Sequence, residues 1–305
     1  MNFSYWITNS SPWQEALAAG KQAEALGYHG LWYADHFMPN AKGPVPGPAH
    51  EAFTVLAALA ATVPRVRLGT LVAGNTYRNP AVLAKTCATI DQISEGRVVV
   101  GIGAGWQENE HRAYGIPFET FGWRFDRLEE ACQVITSLFT EASVNFDGEH
   151  YTLVDAPLDP KPVQSPPPLL VGGGGERRTL RIVARYAQEW NVWGLPPLLA
   201  QKGAVLEQRC AEEGRDPATI RRSAQALLFL TDDQATLDRL RSRPIERPTV
   251  IGSPAEVQEV MAAYRDARVD EFIVPGFTFR TPAERAETLE RFQAEVMAPL
   301  GWPES

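Results

Sequence analysis

Short runs of β-branched and aromatic residues alternate along this chain with longer stretches in which apolar side chains recur every third or fourth position. The clearest run is Val98, Val99, Val100 and Ile102, continuous rather than alternating, as expected of a strand covered on both faces in a parallel sheet. The clearest helix is 121–139, with Phe125, Leu128, Cys132, Ile135 and Phe139 on one face and Arg124, Asp126, Arg127, Glu129 and Glu130 outside. The same two periods predict strands at 2–8, 30–34, 66–73, 98–102, 169–171, 189–193, 222–230 and 271–274. Helices are expected at 12–26, 51–63, 80–95, 121–139, 176–187, 197–214, 253–267 and 282–297, and 232–243 can also be helical. Gly27 stops the first helix, Pro80 suits a first helical turn and Ser253 suits a cap. Asp147-Gly148 marks a two-residue turn in a small hairpin over 144–153, and the proline-rich 155–168 reads as an extended connector.

Repeated alternation of strand and helix means parallel strands joined by crossover helices. With about eight such units and no shift in composition, the expected fold is α/β, a closed (β/α)8 TIM barrel in a single domain over 1–305. Its inserted loops then fall at the carboxyl ends of the strands, where such barrels place function.

Composition changes this picture little. A net charge of −8, spread along the helices, argues against a nucleic-acid surface. Cys87, Cys132 and Cys210 lie within expected helices without metal-like spacing, as reduced thiols of a cytoplasmic protein would. MNFSYWITNS lacks a basic, then apolar, leader pattern, and the weakly polar run 52–62 is too short to cross a bilayer, so neither export nor a membrane is expected.

Candidate chemistry collects in the loops. Gly96 to Phe118, GRVVVGIGAGWQENEHRAYGIPF, joins a buried strand to a loop that runs to about Phe121, long enough to wall a pocket. Its Gly-Ile-Gly-Ala-Gly is not a Rossmann fingerprint, because Trp106 stands where the third glycine belongs. His36 ends an aromatic strand at the expected catalytic rim, and an imidazole there can donate or accept a proton; bonding to a neighbouring carbonyl is the plainer alternative. His29, His50, His111 and His150 read as structural. Glu108, Glu110 and His111 lack a helical HExxH or a second cluster, so no metal is assigned. Gly172, Gly173, Gly174 and Gly175 precede a helix with Arg177 and Arg178 beside them, which suits a phosphate, although the Walker pattern is absent. Trp6, Trp32, Trp106 and Trp193 lie in or just beyond strands and together allow a pocket for a large planar ring. Lys21, Lys42, Lys85, Lys161 and Lys202 fall away from strand ends, which disfavours Schiff-base chemistry, and neither paired cysteines nor a nucleophile elbow is present.

Four segments in order, GLWYADHF (30–37), RLGTLVAGNTYRNPAVLAK (67–85), GRVVVGIGAGWQENEHRAYGIPF and LLVGGGGERRTL (169–180), resemble the luciferase-like monooxygenase superfamily over nearly the whole chain. The resemblance is strongest to its branch of oxidoreductases that use the deazaflavin coenzyme F420. It implies that His36 lies beside the reactive ring carbon and that Leu71-Val72 forms a bulge, often with a non-proline cis peptide, behind the ring. Asn75, Ala104 and Gly105 would contact the cofactor, and Gly172 to Gly175 with Arg177 would hold its phosphate. The substrate pocket would take in Trp6, Asn40, Trp106 and Trp193. In the family's sugar-phosphate dehydrogenases a proton-donating glutamate stands in place of Trp106 and a tryptophan in place of Asn40, so a sugar-6-phosphate is disfavoured and a more apolar pocket expected.

Three functions follow. The first is hydride transfer between coenzyme F420 and a small organic substrate, the coenzyme carrying the chemistry. The second is an FMN-dependent monooxygenase fed by a partner reductase. The third is a barrel that binds a flavin-like ligand without turnover. The family also implies a homodimer.

Overall fold

Eight parallel strands close on themselves: Asn2–Ile7, Gly30–Tyr33, Arg67–Thr70, Val98–Gly103, Leu169–Gly172, Glu189–Trp193, Arg221–Gln225 and Glu271–Pro275. The computed structural model describes residues 1–39 and 47–302. Each strand pairs with the next in sequence, Leu68 opposite Val98 joins the third to the fourth, and Phe3 opposite Phe272 closes the first against the eighth. Helices Trp13–Ala25, Ala52–Thr62, Pro80–Ile93, Phe121–Thr140, Thr179–Tyr186, Pro196–Glu212, Pro254–Asp266 and Pro282–Phe292 surround them. This is the (β/α)8 barrel that the alternation of periods predicts.

The period of two in each strand builds two cores. Phe3, Tyr5 and Ile7 of the first strand face the helices, whereas Trp6 joins Trp32, Leu71, Val99, Leu170 and Ile273 inside the barrel. At the amino end the interior turns ionic. Glu271, fully buried, accepts from Trp32 Nε1 at 2.9 Å and from Arg221 at 3.1 Å, while Arg67 pairs with Glu189 and lies 3.6 Å from Glu271. Burial alone would raise the Glu271 carboxyl, but Arg67, Arg221 and His29 outweigh it and hold its pKa below the ordinary value.

The structure departs from expectation where the backbone leaves a regular period. Residues 66–73 are not the single strand that their period predicts: it stops at Thr70, passes the cis Leu71-Val72 bulge that the resemblance implies, and resumes as Ala73–Gly74 beside Ile102 and Gly103. Residues 222–230 likewise divide at Ala226. Their second half, Leu227–Leu230, leaves the barrel and pairs with Thr249–Gly252, helix Gln234–Arg241 lying between them. The hairpin pairs Ser143–Asp147 with Thr152–Pro157 through a four-residue loop rather than a two-residue one. Glu130 decides this, its carboxylate accepting the amides of Glu149, His150 and Tyr151 at 2.8–3.1 Å. Helix 176–187 in fact starts at Thr179, and the last helix ends at Phe292 before a π turn over Gln293–Met297. Ser253 caps its helix through reciprocal bonds with Glu256, as its position suggests.

The three cysteines are buried and free. Among the described residues no helix is long and apolar enough to cross a membrane.

Candidate active site

The carboxyl ends of the strands enclose a cavity of about 1090 Å³, at the upper end of small-molecule sites. Its walls are mostly apolar and its polar groups few. His36, Leu71, Val72, Ala104, Gly105, Gly172 to Gly175, Trp6, Trp106 and Trp193 all line it, as the sequence suggests. Asn40 lies outside the described residues.

His36 is anchored from behind. Its Nδ1 lies 2.7 Å from Glu110 Oε1, and because a carboxylate only accepts, Nδ1 carries the proton. Nε2 is therefore the ring nitrogen left for the cavity. Glu110 is fully buried and takes two further donors, the Phe37 amide at 2.7 Å on Oε2 and the Tyr77 hydroxyl on Oε1. Burial works against this carboxylate, but the bonds from His36, Tyr77 and Phe37 prevail and keep its pKa below the ordinary range. The Tyr77 hydroxyl is correspondingly pushed up, first by burial and then by its bond to Glu110. One fixed negative charge thus sets the tautomer of the rim imidazole.

The neighbouring residue ties two strand ends together. Asp35 accepts a bidentate bond from Arg78 at 2.7 and 3.0 Å and the Gly74 amide at 3.1 Å, and Arg78 reaches on to Glu51 at 2.6 Å. The guanidinium lies over the rings of Phe53 and Phe37 at 4.6 and 5.7 Å. The end of the second strand is thereby tied to the bulge after the third.

Two glycine segments let backbone approach the cavity. Gly105 has φ +77°, and a Cβ there would meet Thr76 Oγ1 at 2.6 Å. Gly173 has φ +126°, its amide donating to the Asn191 carbonyl at 2.8 Å and its carbonyl accepting from Trp190 Nε1 at 2.8 Å. The sixth strand therefore holds the glycine turn open toward the cavity, with Thr179 beside it. Leu71-Val72 and Ala104-Gly105 thus line the cavity beside the glycine turn, where Gly172 to Gly175 place no side chain of their own over the backbone.

Two assigned residues are placed elsewhere. Asn75 is buried behind the wall, donating to the Tyr151 hydroxyl at 3.3 Å, and does not line the cavity. Arg177 is exposed and also outside the lining, because the helix begins only at Thr179 and the intervening turn points that side chain outward. Arg178 pairs with Asp126. The cations that do line the cavity are Arg124, bonded to the Gly105 carbonyl and 4.2 Å over the Phe118 ring, and Arg247.

The luciferase-like monooxygenase family model matches residues 1–248. The chain belongs to that family. Among curated relatives, the F420-dependent glucose-6-phosphate dehydrogenase of Kineococcus radiotolerans is 42% identical over 160 residues, 50% of this chain and 47% of the relative. That of Amycolatopsis mediterranei is 40% identical over 148 residues, 48% and 44% of the two chains. Pyrimidine monooxygenase RutA of Escherichia coli is 31% identical over 199 residues, 63% and 52%. The chain spans about half the length of these relatives. Among solved structures, an F420-dependent secondary alcohol dehydrogenase in complex with an F420-acetone adduct aligns with a TM-score of 0.84 at 21% identity, covering 97% of this chain and 98% of that one. EDTA monooxygenase from Chelativorans sp. BNC1 aligns at 0.83 and 15%, covering 100% and 95%. At such identities the likeness is one of fold.

Glu110 and Tyr77 are what sequence reasoning misses in this luciferase-like site. The stretch after Trp106 reads as open loop, yet Glu108–Tyr114 is a helix that turns Glu110 inward and leaves Glu108 to pair with Arg112 outside. His111 beside it is structural as expected, bonded to the Gln107 carbonyl and to Thr76 Oγ1, both at 2.7 Å.

Proposed function

We propose that this chain is, as one barrel domain, an oxidoreductase that moves a hydride between coenzyme F420 and a small organic substrate. The observation that carries the reading is His36, fixed at Nδ1 by buried Glu110 and presenting Nε2 to the same cavity that Leu71-Val72 and the glycine segments line. The names of the two dehydrogenase relatives support the choice of coenzyme. Leu71, Val72, Ala104 and Gly105 would hold the deazaflavin ring, and Gly172 to Gly175 its phosphate. When bound, the coenzyme supplies the hydride-exchanging carbon.

The chain's own residues handle the proton. With Nδ1–H committed to Glu110, a neutral His36 accepts a proton at Nε2 from a substrate hydroxyl, or returns it to a developing alkoxide in the opposite direction. The Glu110 anion stabilises the imidazolium formed in between. The apolar walls exclude water. A cytoplasmic homodimer belongs to the same reading.

A second reading, an FMN-dependent monooxygenase supplied by a flavin reductase, is favoured by the match to RutA. Parallel fluorescence titrations with coenzyme F420 and FMN, followed by assays of hydride exchange and of oxygen uptake, separate the two. F420 binding with hydride exchange supports the first reading; FMN preference with substrate-dependent oxygen uptake replaces it with the second. Binding without either activity leaves a ligand-binding barrel.

A further inference from the structure

Besides His36 and the glycine segments, the cavity is lined by an aromatic cluster that the proposed coenzyme contacts leave unassigned. Trp6 stands one residue before the end of the first strand, Trp193 ends the sixth, and Phe277 follows the eighth, and their rings meet inside the cavity. Trp6 and Phe277 cross edge-on with centroids 4.9 Å apart, Trp6 and Trp193 are tilted at 5.9 Å, and Trp193 and Phe277 are near-parallel at 6.4 Å. The wall so formed is aromatic and built from three separate strand ends, Trp193 and Phe277 turning near-parallel faces and Trp6 standing at an angle to both. Aromatic faces in this arrangement take planar π-systems better than saturated chains of equal size.

A cation completes the wall. The Arg247 guanidinium lies 4.9 Å over the Trp193 ring and lines the cavity with Glu246 and Pro248. It is delivered by the segment that leaves the barrel after Ala226 and returns as Thr249–Gly252. Among the described residues it forms no ion pair, not even with adjacent Glu246. The other lining arginine, Arg124, is already bonded to the Gly105 carbonyl. A guanidinium stacked on an indole keeps its planar fork of donors free for a carboxylate.

We infer that the substrate is a planar conjugated or aromatic molecule bearing a carboxylate, its π-system against Trp6, Trp193 and Phe277 and its anionic group on Arg247. This rests on reading the cavity as the active site, and it names a substrate class the apolar walls alone do not. An anion on Arg247 and a conjugated body on the aromatic wall leave the remaining end of the molecule in the cavity that His36 also lines.

The test uses the cofactor-free full chain and three probes, trans-cinnamate, its neutral isostere cinnamamide, and 3-cyclohexylpropanoate, titrated by calorimetry. Cinnamate is expected to bind about three- to five-fold tighter than cinnamamide, the effect of one partly screened ion pair, and tighter than the saturated acid. In Arg247→Gln the preference over cinnamamide should vanish while cinnamamide affinity stays the same. Equal binding of acid and amide, a preference that survives Arg247→Gln, equal binding of the saturated acid, or no binding of any probe overturns the inference. Because no coenzyme is present, such a result leaves the coenzyme titrations to stand or fall separately. Circular dichroism of Arg247→Gln, an exposed position, confirms that the compared chains share a fold.

Discussion

The two ends of this barrel both bury carboxylates, but they finish their hydrogen bonds differently. At the amino end Glu271 and Glu189 are closed among Arg67, Arg221 and Trp32, every partner being another wall of the protein. At the carboxyl end Glu110 gathers three donors, and one of them, His36, has its second nitrogen at a cavity. The first arrangement closes on protein groups alone, with Glu189 Oε2, Arg67 Nη1 and Arg221 Nε left without a hydrogen-bond partner inside it, and serves the fold; the second reaches a cavity on one side and can act on a ligand. The same residue type thus serves as plug or as anchor, according to whether its network ends in protein or at a pocket.

The strongest way to break the comparison is at its exposed nitrogen. His36→Ala should lower turnover by about 10²- to 10⁴-fold and, because it removes one of the three donors to Glu110, cost only about 1 kcal/mol of stability, read by steady-state kinetics beside a thermal scan. Glu271→Gln should do the opposite. Leaving Arg67 and Arg221 with an uncompensated charge should destabilise by about 3–5 kcal/mol in urea unfolding, with turnover per folded molecule retained.

Acid titration sharpens the contrast at the amino end. Burial pushes the His29 imidazole down to about 4, Glu271 opposing while Arg221 and Arg67 add to the shift. The fold therefore holds His29 neutral, whereas the unfolded chain protonates it at its ordinary value of 6.5. Stability should be full above that value and fall as pH drops from 6.5 toward 4. His29→Gln should flatten that part of a melting-temperature profile; an unchanged slope would remove His29 from the account. For Glu110, whose pKa is depressed in the fold, the stabilisation is present above the unfolded carboxylate range and is lost only as pH falls through the lower folded value.

The smallest expected effect is at Tyr77. Tyr77→Phe removes one of three donors to Glu110, should cost about 1 kcal/mol of stability, and should move the pH profile of turnover. A profile identical to that of the native chain would make the hydroxyl merely structural.

Much of this was legible in the sequence because it is local. Val98 to Ile102, the face of Phe125 to Phe139 and the glycines at 172–175 each announce themselves within one strand or a few turns. His36 could be placed at the rim for the same reason. The pairing of His36 with Glu110 spans 74 positions, and no period of two or 3.6 reports it. A continuous apolar run also cannot show where a strand will bulge, so the break at Leu71-Val72 needed the resemblance and the departure after Ala226 was missed altogether. Arg177 and Asn75 failed differently: each was assigned by motif position, and the turn before Thr179 and the contact with Tyr151 aim their side chains elsewhere.

The division between the two ends is tested most directly by measuring hydride exchange with coenzyme F420 and unfolding free energy together, in the native chain, Glu110→Gln and Glu271→Gln. The account predicts that Glu110→Gln loses exchange by about ten-fold or more after correction for folded fraction, while Glu271→Gln loses stability and keeps its exchange rate per folded molecule. Exchange that falls equally in both, or that survives in Glu110→Gln, would contradict it.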